Sequence, residues 1–294
     1  MKCPKCSSAM VERKRKSDGN PFWGCSQFPS CRATRPGANE SIAKKRNPNV
    51  RSWKSKTRMN PQLGKCPEKL PAYLSPTKAI DFMQCPRKFY ENSISKRITF
   101  QGTEATVKGN LVHYALEKIF DMPDYDRNQE NAISYISPRW EELKELPENK
   151  SVSALNDREV KTLLAEAEEI VRKWFLLENP KRINPLSCEM IVEAKIGNAP
   201  MRGVIDRVDK GKKYLNTLNK KTHVKILDYK TGKVPKREYE HESLFQISTY
   251  ALAIEASSNG NIVVDEVELL YVNHRKSLRT KITDSIRSDT SGKF

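Results

Sequence analysis

Two stretches of the chain carry residue types able to do chemistry at a bound ion. One reads Met201-Arg202-Gly203-Val204-Ile205-Asp206-Arg207-Val208-Asp209, the other Lys225-Ile226-Leu227-Asp228-Tyr229-Lys230-Thr231-Gly232. Val204 and Val208 in the first, and Ile226 and Leu227 in the second, predict strands that each deliver a carboxylate to their end. Residues two apart on a strand share a face, so Asp228 and Lys230 project together while Tyr229 turns into packing. With Asp206 from a neighbouring strand, one pocket would hold two carboxylates and an amine. That set suits a hard divalent cation and a water. The residues alone also allow a plain ion pair between Asp228 and Lys230 on an edge strand, Asp209 in place of Asp206, or an Asp206–Arg207 pair.

A second constellation lies at the amino terminus. Cys3-Pro4-Lys5-Cys6 is followed, after eighteen residues, by Cys25 and Cys31, with Asp18-Gly19-Asn20 as a turn between. Two close pairs of this kind match a tetrahedral four-thiolate zinc site on two short hairpins. So small and polar a segment has no other core to fold around.

Charge says what such sites would meet. The 294 residues carry a formal net charge of +17, and residues 1–58 hold 15 Lys/Arg against 3 Asp/Glu. Such a field attracts phosphate polyanions. Nucleic acid is the expected partner rather than a membrane, because no apolar stretch is long enough to span or anchor. No secretory signal is recognised, and seven cysteines, four of them clustered, fit metal ligation in a reducing compartment. A cytoplasmic location is expected.

Three segments follow from composition: 1–36 as the zinc module, 37–73 as a basic flexible linker rich in proline, and 74–294 as the main domain. In the last, Ser75 caps a helix with Pro76 in its first turn and Ile80, Phe82 and Met83 on its buried side. Cys85-Pro86 ends that helix. A helix over Glu104–Phe120 places Gly109, His113 and Glu117 on one face. Residues 123–155 read as variable surface structure. Asn156 or Asp157 caps a helix whose Val160, Leu163, Leu164, Ala167, Ile170, Val171, Trp174 and Phe175 form a core stripe. Strands follow at 190–196, 204–208 and 224–229, then a helix from Tyr239 to about Ala256 with Gln246 and Tyr250 on one face. Strands at 264–272 and 278–282 end the pattern, with no obvious terminal helix. The fold class is a mixed α/β sheet with flanking helices.

Two resemblances then emerge. Cys3-Pro4-Lys5-Cys6, Met10 and Phe22-Trp23-Gly24-Cys25-Ser26-Gln27-Phe28-Pro29-Ser30-Cys31 resemble the four-cysteine zinc finger of bacterial type I topoisomerases. This implies binding of single-stranded DNA. Phe22, Trp23 and Phe28 would offer stacking faces among Arg13, Lys14, Arg15, Lys16 and Arg32, with Trp23 equally able to pack over the zinc. In the main domain, Ser75 to Tyr90, Gly109 to His113, Gly203 to Asp206, Asp228 to Gly232 and Gln246 to Tyr250 together resemble a RecB-like nuclease of the PD-(D/E)XK superfamily. The resemblance implies a restriction-endonuclease-like core and metal-dependent hydrolysis of DNA phosphodiesters, in most members as an exonuclease on ends or single strands.

Carried onto this chain, the resemblance makes Asp206, Asp228 and the main-chain carbonyl of Tyr229 ligands of Mg²⁺ or Mn²⁺. His113 approaches the same ion, Glu193 supports it, Lys230 orients or deprotonates the attacking water, and Gln246 and Tyr250 line the DNA channel. Some relatives bind an iron–sulfur cluster through an early cysteine and a late group of three. Cys85 occupies the early position, but no cysteine follows Cys188, so no cluster is expected. No G-x-x-x-x-G-K-[ST] stretch occurs, so unwinding would need a helicase or recombination partner. The competing expectation is a non-catalytic DNA-binding accessory subunit of a helicase–nuclease complex.

Overall fold

The computed structural model describes residues 2–14, 21–36, 70–98, 100–216 and 221–294. Two compact units, Met1–Lys65 and Cys66–Phe294, divide the chain. The expected linker over 37–73 lies, up to residue 69, outside the described residues, as do Arg15, Lys16 and the Asp18-Gly19-Asn20 turn.

In the small unit, β1 (Met10–Lys14), β2 (Pro21–Cys25) and β3 (Thr34–Pro36) form an antiparallel sheet in that order. Its core is Cys3, Met10, Cys25 and Ala33, with Trp23 and Cys31 packed against them. Cysteine sulfur thus takes the place that aliphatic side chains fill in a larger domain.

The large unit begins with α1 (Pro76–Gln84), α2 (Pro86–Phe89) running into a π-helical turn over Tyr90–Ile94, and α3 (Glu104–Lys118). Ser75 caps α1 by accepting a hydrogen bond from the Lys78 amide at 3.2 Å. The buried side of α1 is not the expected one: Pro76 and Ala79 are buried, while Phe82 and Met83 are exposed. Pro76 and Ala79 take the buried face, and Phe82 meets Phe89 of α2 edge-on, with ring centres 5.5 Å apart. Next come α4 (Gln129–Ile133), α5 (Ile136–Lys144), α6 (Lys150–Ser153) and α7 (Asp157–Phe175). Ala132, Ile136, Trp140, Leu143 and Val152 are buried with Leu163, Ala167, Ile170 and Trp174 of α7. The expectation of surface structure over 123–155 is therefore corrected. Short helices of two turns or so carry too few apolar positions for a periodic stripe, yet together they cover one side of α3.

The sheet consists of β4 (Ser187–Ile196), β5 (Ala199–Asn216), β6 (Lys221–Lys230), β7 (Ile262–Tyr271) and β8 (Lys276–Lys281), paired in sequence order. All neighbours are antiparallel except β6 and β7, which run parallel and are joined through α8 (Glu240–Ser257). This is the mixed five-stranded sheet with helices that the pattern predicts. β6 is its central strand, buried on both faces: Leu227 and Tyr229 meet the α3–α7 layer, whereas Val224 and Ile226 meet Ile247, Tyr250, Ala251 and Ile254 of α8. A terminal helix, α9 (Asp284–Ser291), is present against expectation. Its sequence is mostly polar, but the Thr283 hydroxyl caps it and Arg287 ties it to Glu255 of α8 at 2.8 Å. Among the described residues no helix is long and apolar enough to cross a membrane.

Candidate active site

Alternation along β6 sends Asp228 and Lys230 to the α8 side and buries Tyr229 on the other. Asp228 is 6% exposed, and its Oδ2 lies 2.7 Å from Lys230 Nζ. That oxygen makes no hydrogen bond of good geometry, so its contact with the ammonium is an ion pair only. On a central, doubly covered strand this pair cannot be the surface bridge that Asp-x-Lys spacing also allowed. Gln246 of α8 places its Oε1 3.4 Å from Lys230 Nζ. One turn on, Tyr250 covers Gly203 of β5. A Cβ there would stand 2.3 Å from Tyr250 Cε1, so only glycine admits the ring.

Asp206 of β5 accepts a hydrogen bond from the Tyr229 amide at 2.6 Å and lies 3.4 Å from Nδ1 of His113 on α3. It does not pair with Arg207. That residue turns instead into the interior, 1% exposed, and donates to Glu178, Asp209 and the Tyr229 hydroxyl at 2.6–3.1 Å. Trp174 of α7 donates to the same Glu178 at 2.8 Å. This guanidinium ties the residue after Asp206 to the residue between Asp228 and Lys230. It also occupies Asp209, which is therefore no rival to Asp206 as a metal ligand.

Glu193, the expected supporting acid, is not at the site. It sits on the exposed face of β4 opposite Arg202 and pairs with it at 3.3 Å, both side chains about half exposed. Glu189 takes its place. Donor atoms of His113, Glu189 and Asp206 all lie within 4.8 Å of one another. Glu189 falls between the ladder pairs Cys188↔Arg207 and Met190↔Ile205, directly across from Asp206, in the left-handed region at φ 45°. A non-glycine residue held there is strained, and such strain gathers at functional sites. A signal for it exists in the sequence. Gly197-Asn198 is a two-residue hairpin loop closed by Ile196↔Ala199, and counting back along β4 from that turn sets Glu189, not Glu193, opposite Asp206. Glu189→Gln is expected to lower activity and divalent-cation affinity roughly tenfold or more. Glu193→Gln should leave both within about twofold, since an exposed pair contributes little; steady-state kinetics across a metal titration checks both.

The site holds more negative charge than it neutralises. Burial, reinforced by the Asp206 carboxylate and opposed by Lys230, pushes Asp228 up to about 6. Burial and the same neighbour raise Glu189 to about 7. Burial works against the charged form of His113, but its contact with Asp206 outweighs it and raises the pKa. Lys230 is likewise raised, burial being overcome by the charge of Asp228. Crowded oxygen donors, one with a buried lone pair unmet, are what a hard divalent cation would relieve.

In the small unit, Cys3 Sγ lies 3.7 Å from Cys31 Sγ, and Cys6 Sγ 3.4 Å from Cys25 Sγ. All four sulfurs are within 4.8 Å of one another and form no disulfide. A tetrahedron of about 2.3 Å Zn–S bonds has edges of about 3.8 Å, so the set fits zinc. Trp23 packs against this cluster rather than standing free, which favours its structural role. Phe28 is exposed with the Arg13 guanidinium 5.5 Å from its ring centre, while Lys14 and Arg32 are exposed and Phe22 half-buried.

Residues 73–291 match the model of the PD-(D/E)XK nuclease superfamily. The chain belongs to that superfamily. Residues 1–40 match the topoisomerase DNA-binding C4 zinc finger, so the PD-(D/E)XK nuclease domain is preceded by a DNA-binding zinc ribbon. Among solved structures, a crystal structure from Eubacterium rectale whose exonuclease name is itself provisional aligns at 12% identity. It covers 74% of this chain and 75% of that chain, with a TM-score of 0.44. No curated protein matches. PD-(D/E)XK nucleases use divalent metals, and the donors gathered here suit one.

Proposed function

We propose that the chain is a metal-dependent DNA exonuclease acting on ends or single strands in recombination, repair or replication. In this reading residues 1–36 grip DNA, 37–73 tether them, and 74–294 cleave, inside the cell and with any unwinding supplied by a helicase or recombination partner. The observation that supports it best is the convergence of Asp206, Asp228 and Lys230, from two strands, beside His113 of α3 and Gln246 of α8. Asp206, Asp228, the Tyr229 carbonyl and His113 would hold Mg²⁺ or Mn²⁺, with Glu189 in the supporting role expected of Glu193. Cys3, Cys6, Cys25 and Cys31 would hold Zn²⁺. The divalent ion, when bound, neutralises phosphate charge and makes hydroxide accessible near neutral pH.

The protein's own groups do the rest. Lys230, fixed between Asp228 and Gln246, positions the attacking water and stabilises the negative charge that builds on the phosphoryl oxygens. His113 and the Tyr229 amide hold the Asp206 carboxylate in one orientation. Tyr250, its hydroxyl pushed up to about 12 by burial and the nearby Asp228 charge, stays neutral and buttresses the wall over Gly203.

Products from end-labelled DNA with one end blocked test the reading. Exonuclease action shortens the strand from the free end only, releasing nucleotides or short oligomers. Internal fragments from a substrate blocked at both ends would make the enzyme an endonuclease, and a mobility shift without shortening would leave only the accessory-subunit reading. Removing residues 1–36 takes away 8 Lys/Arg against 2 Asp/Glu. The truncated chain should bind single-stranded DNA more weakly with a flatter salt dependence, by about 0.7 in slope for each phosphate no longer neutralised, while still cleaving at low salt. Fluorescence anisotropy across a salt series measures it, and an unchanged slope would assign the zinc ribbon to binding a protein.

A further inference from the structure

The catalytic reading leaves unexplained a groove of about 680 Å³ along α7. Lys108 of α3 and Arg158, Lys161 and Lys173 of α7 line it. Positions 158, 161, 165, 169 and 173 recur every three or four residues, so they form one stripe of the helix, turned away from the buried Leu163, Ala167 and Trp174, and the buried Ile170 joins them in the lining. Ala165 within that stripe keeps the floor low. Of the carboxylates that share the lining, Glu166 pairs with Lys108, whereas Glu169 is exposed and only 4.0 Å from Arg172, whose shorter pair is with Glu168 at 2.8 Å. Lys173 donates to Asn273 at 2.9 Å. Among the described residues, the side chains of Arg158 and Lys161 have neither an ion pair nor a hydrogen bond, and both are exposed.

Two of the residues that line the groove, Lys108 and Asn273, neighbour along the chain residues packed at the catalytic site. Gly109, next to Lys108, approaches Thr231 so closely that a Cβ would lie 3.3 Å from its Oγ1, and Thr231 directly follows Lys230. Asn273, also in the lining, comes two residues after Tyr271, the parallel-ladder partner of Lys230. Charge distinguishes this space from the opening on the His113 side, which Glu117, Glu189 and Asp206 line with Arg139 as the sole cation besides His113. Without a bound cation to neutralise its carboxylates, the second attracts a phosphate chain less than the first.

We propose that the α7 groove carries the phosphate backbone of a nucleic acid strand beyond the scissile position, with Arg158 and Lys161 as the principal groups that grip it. The proposal deepens the nuclease reading and rests on it. Both cations are exposed and unpaired, so their removal should leave the fold intact, which an unchanged thermal midpoint verifies. In the full-length protein, Arg158→Gln with Lys161→Gln is expected to flatten the salt dependence of single-stranded oligonucleotide binding by about 1.4 in slope, as two phosphates go unneutralised. KM should rise several-fold while kcat stays within about twofold. Glu166→Gln should do the reverse and tighten binding. An unchanged slope and KM in an enzyme whose wild type cleaves would overturn the groove and leave the nuclease reading standing. A fall in kcat alone would overturn it equally. If the wild type never cleaves, the nuclease reading is lost, and the binding slope still decides whether the groove takes a phosphate chain.

Discussion

Lys230→Met is expected to lower kcat for DNA cleavage by about 10²–10³ while DNA binding stays near that of the wild type. The ammonium lies 2.7 Å from Asp228 and 3.4 Å from Gln246 Oε1, so its own strand and α8 together hold it beside the acidic groups. Methionine keeps the length of the side chain and removes the charge and its donors. Phosphoryl transfer builds negative charge on oxygens that are already anionic, and a fixed cation in a buried site counts for more than one in water. Single-turnover kinetics beside anisotropy binding separates the two effects. A variant that binds DNA less tightly but turns over as fast would mean that Lys230 serves binding and that the water is handled elsewhere. Lys230→Arg should not restore full activity, because a planar fork cannot occupy the position of a compact ammonium.

Arg207→Met is expected to destabilise the large unit by about 3–5 kcal/mol, the usual cost of removing one partner from a buried charge cluster. Its side chain is 2% exposed, while Glu178 and Asp209 retain 18% and 19%, which places the effect toward the lower end. The methionine would leave Glu178, Asp209 and the Tyr229 hydroxyl without their shared donor. Trp174, bonded to Glu178, reports the event by fluorescence in a urea titration. Activity measured well below the transition should also fall, since Arg207 is covalently next to Asp206 and grips the residue between Asp228 and Lys230. A stability loss under about 1 kcal/mol, the range of an exposed pair, would show that the cluster is solvated and does not hold the strands in register.

Much of this architecture could be read from residue order because strong local signals coincide with tertiary demands. The helix cap at Asn156 or Asp157, which the structure gives to Asn156, the stripe of α7, and the alternation that separates Tyr229 from Asp228 and Lys230 all survive folding. The four-cysteine spacing gathers its sulfurs as expected, and His113 reaches Asp206 from a distant helix. What was not legible depended on competition among neighbours. Phe82 and Met83 look like core until the smaller Ala79 takes the space beneath α1. The helices between 129 and 153 are individually too short to show a period, although Trp140 and Ile136 are buried as the core residues of α3 are. Glu193 matched the expected acid by its place in an alternating run, but strand register belongs to the turn, and Gly197-Asn198 gave the position to Glu189. Arg207 could have neutralised Asp206; it lies instead on the opposite side of the strand, beside Phe120 and Tyr229.

The central claim is that carboxylates from β5 and β6 share one hard cation within reach of Lys230. Anomalous scattering from crystals of the full-length protein soaked in Mn²⁺ locates that ion directly. The manganese peak is expected within bonding distance of both Asp206 and Asp228, on the side approached by His113 and Glu189, and should vanish in Asp228→Ala. A peak that bonds neither aspartate, or one undiminished by the alanine, would contradict it.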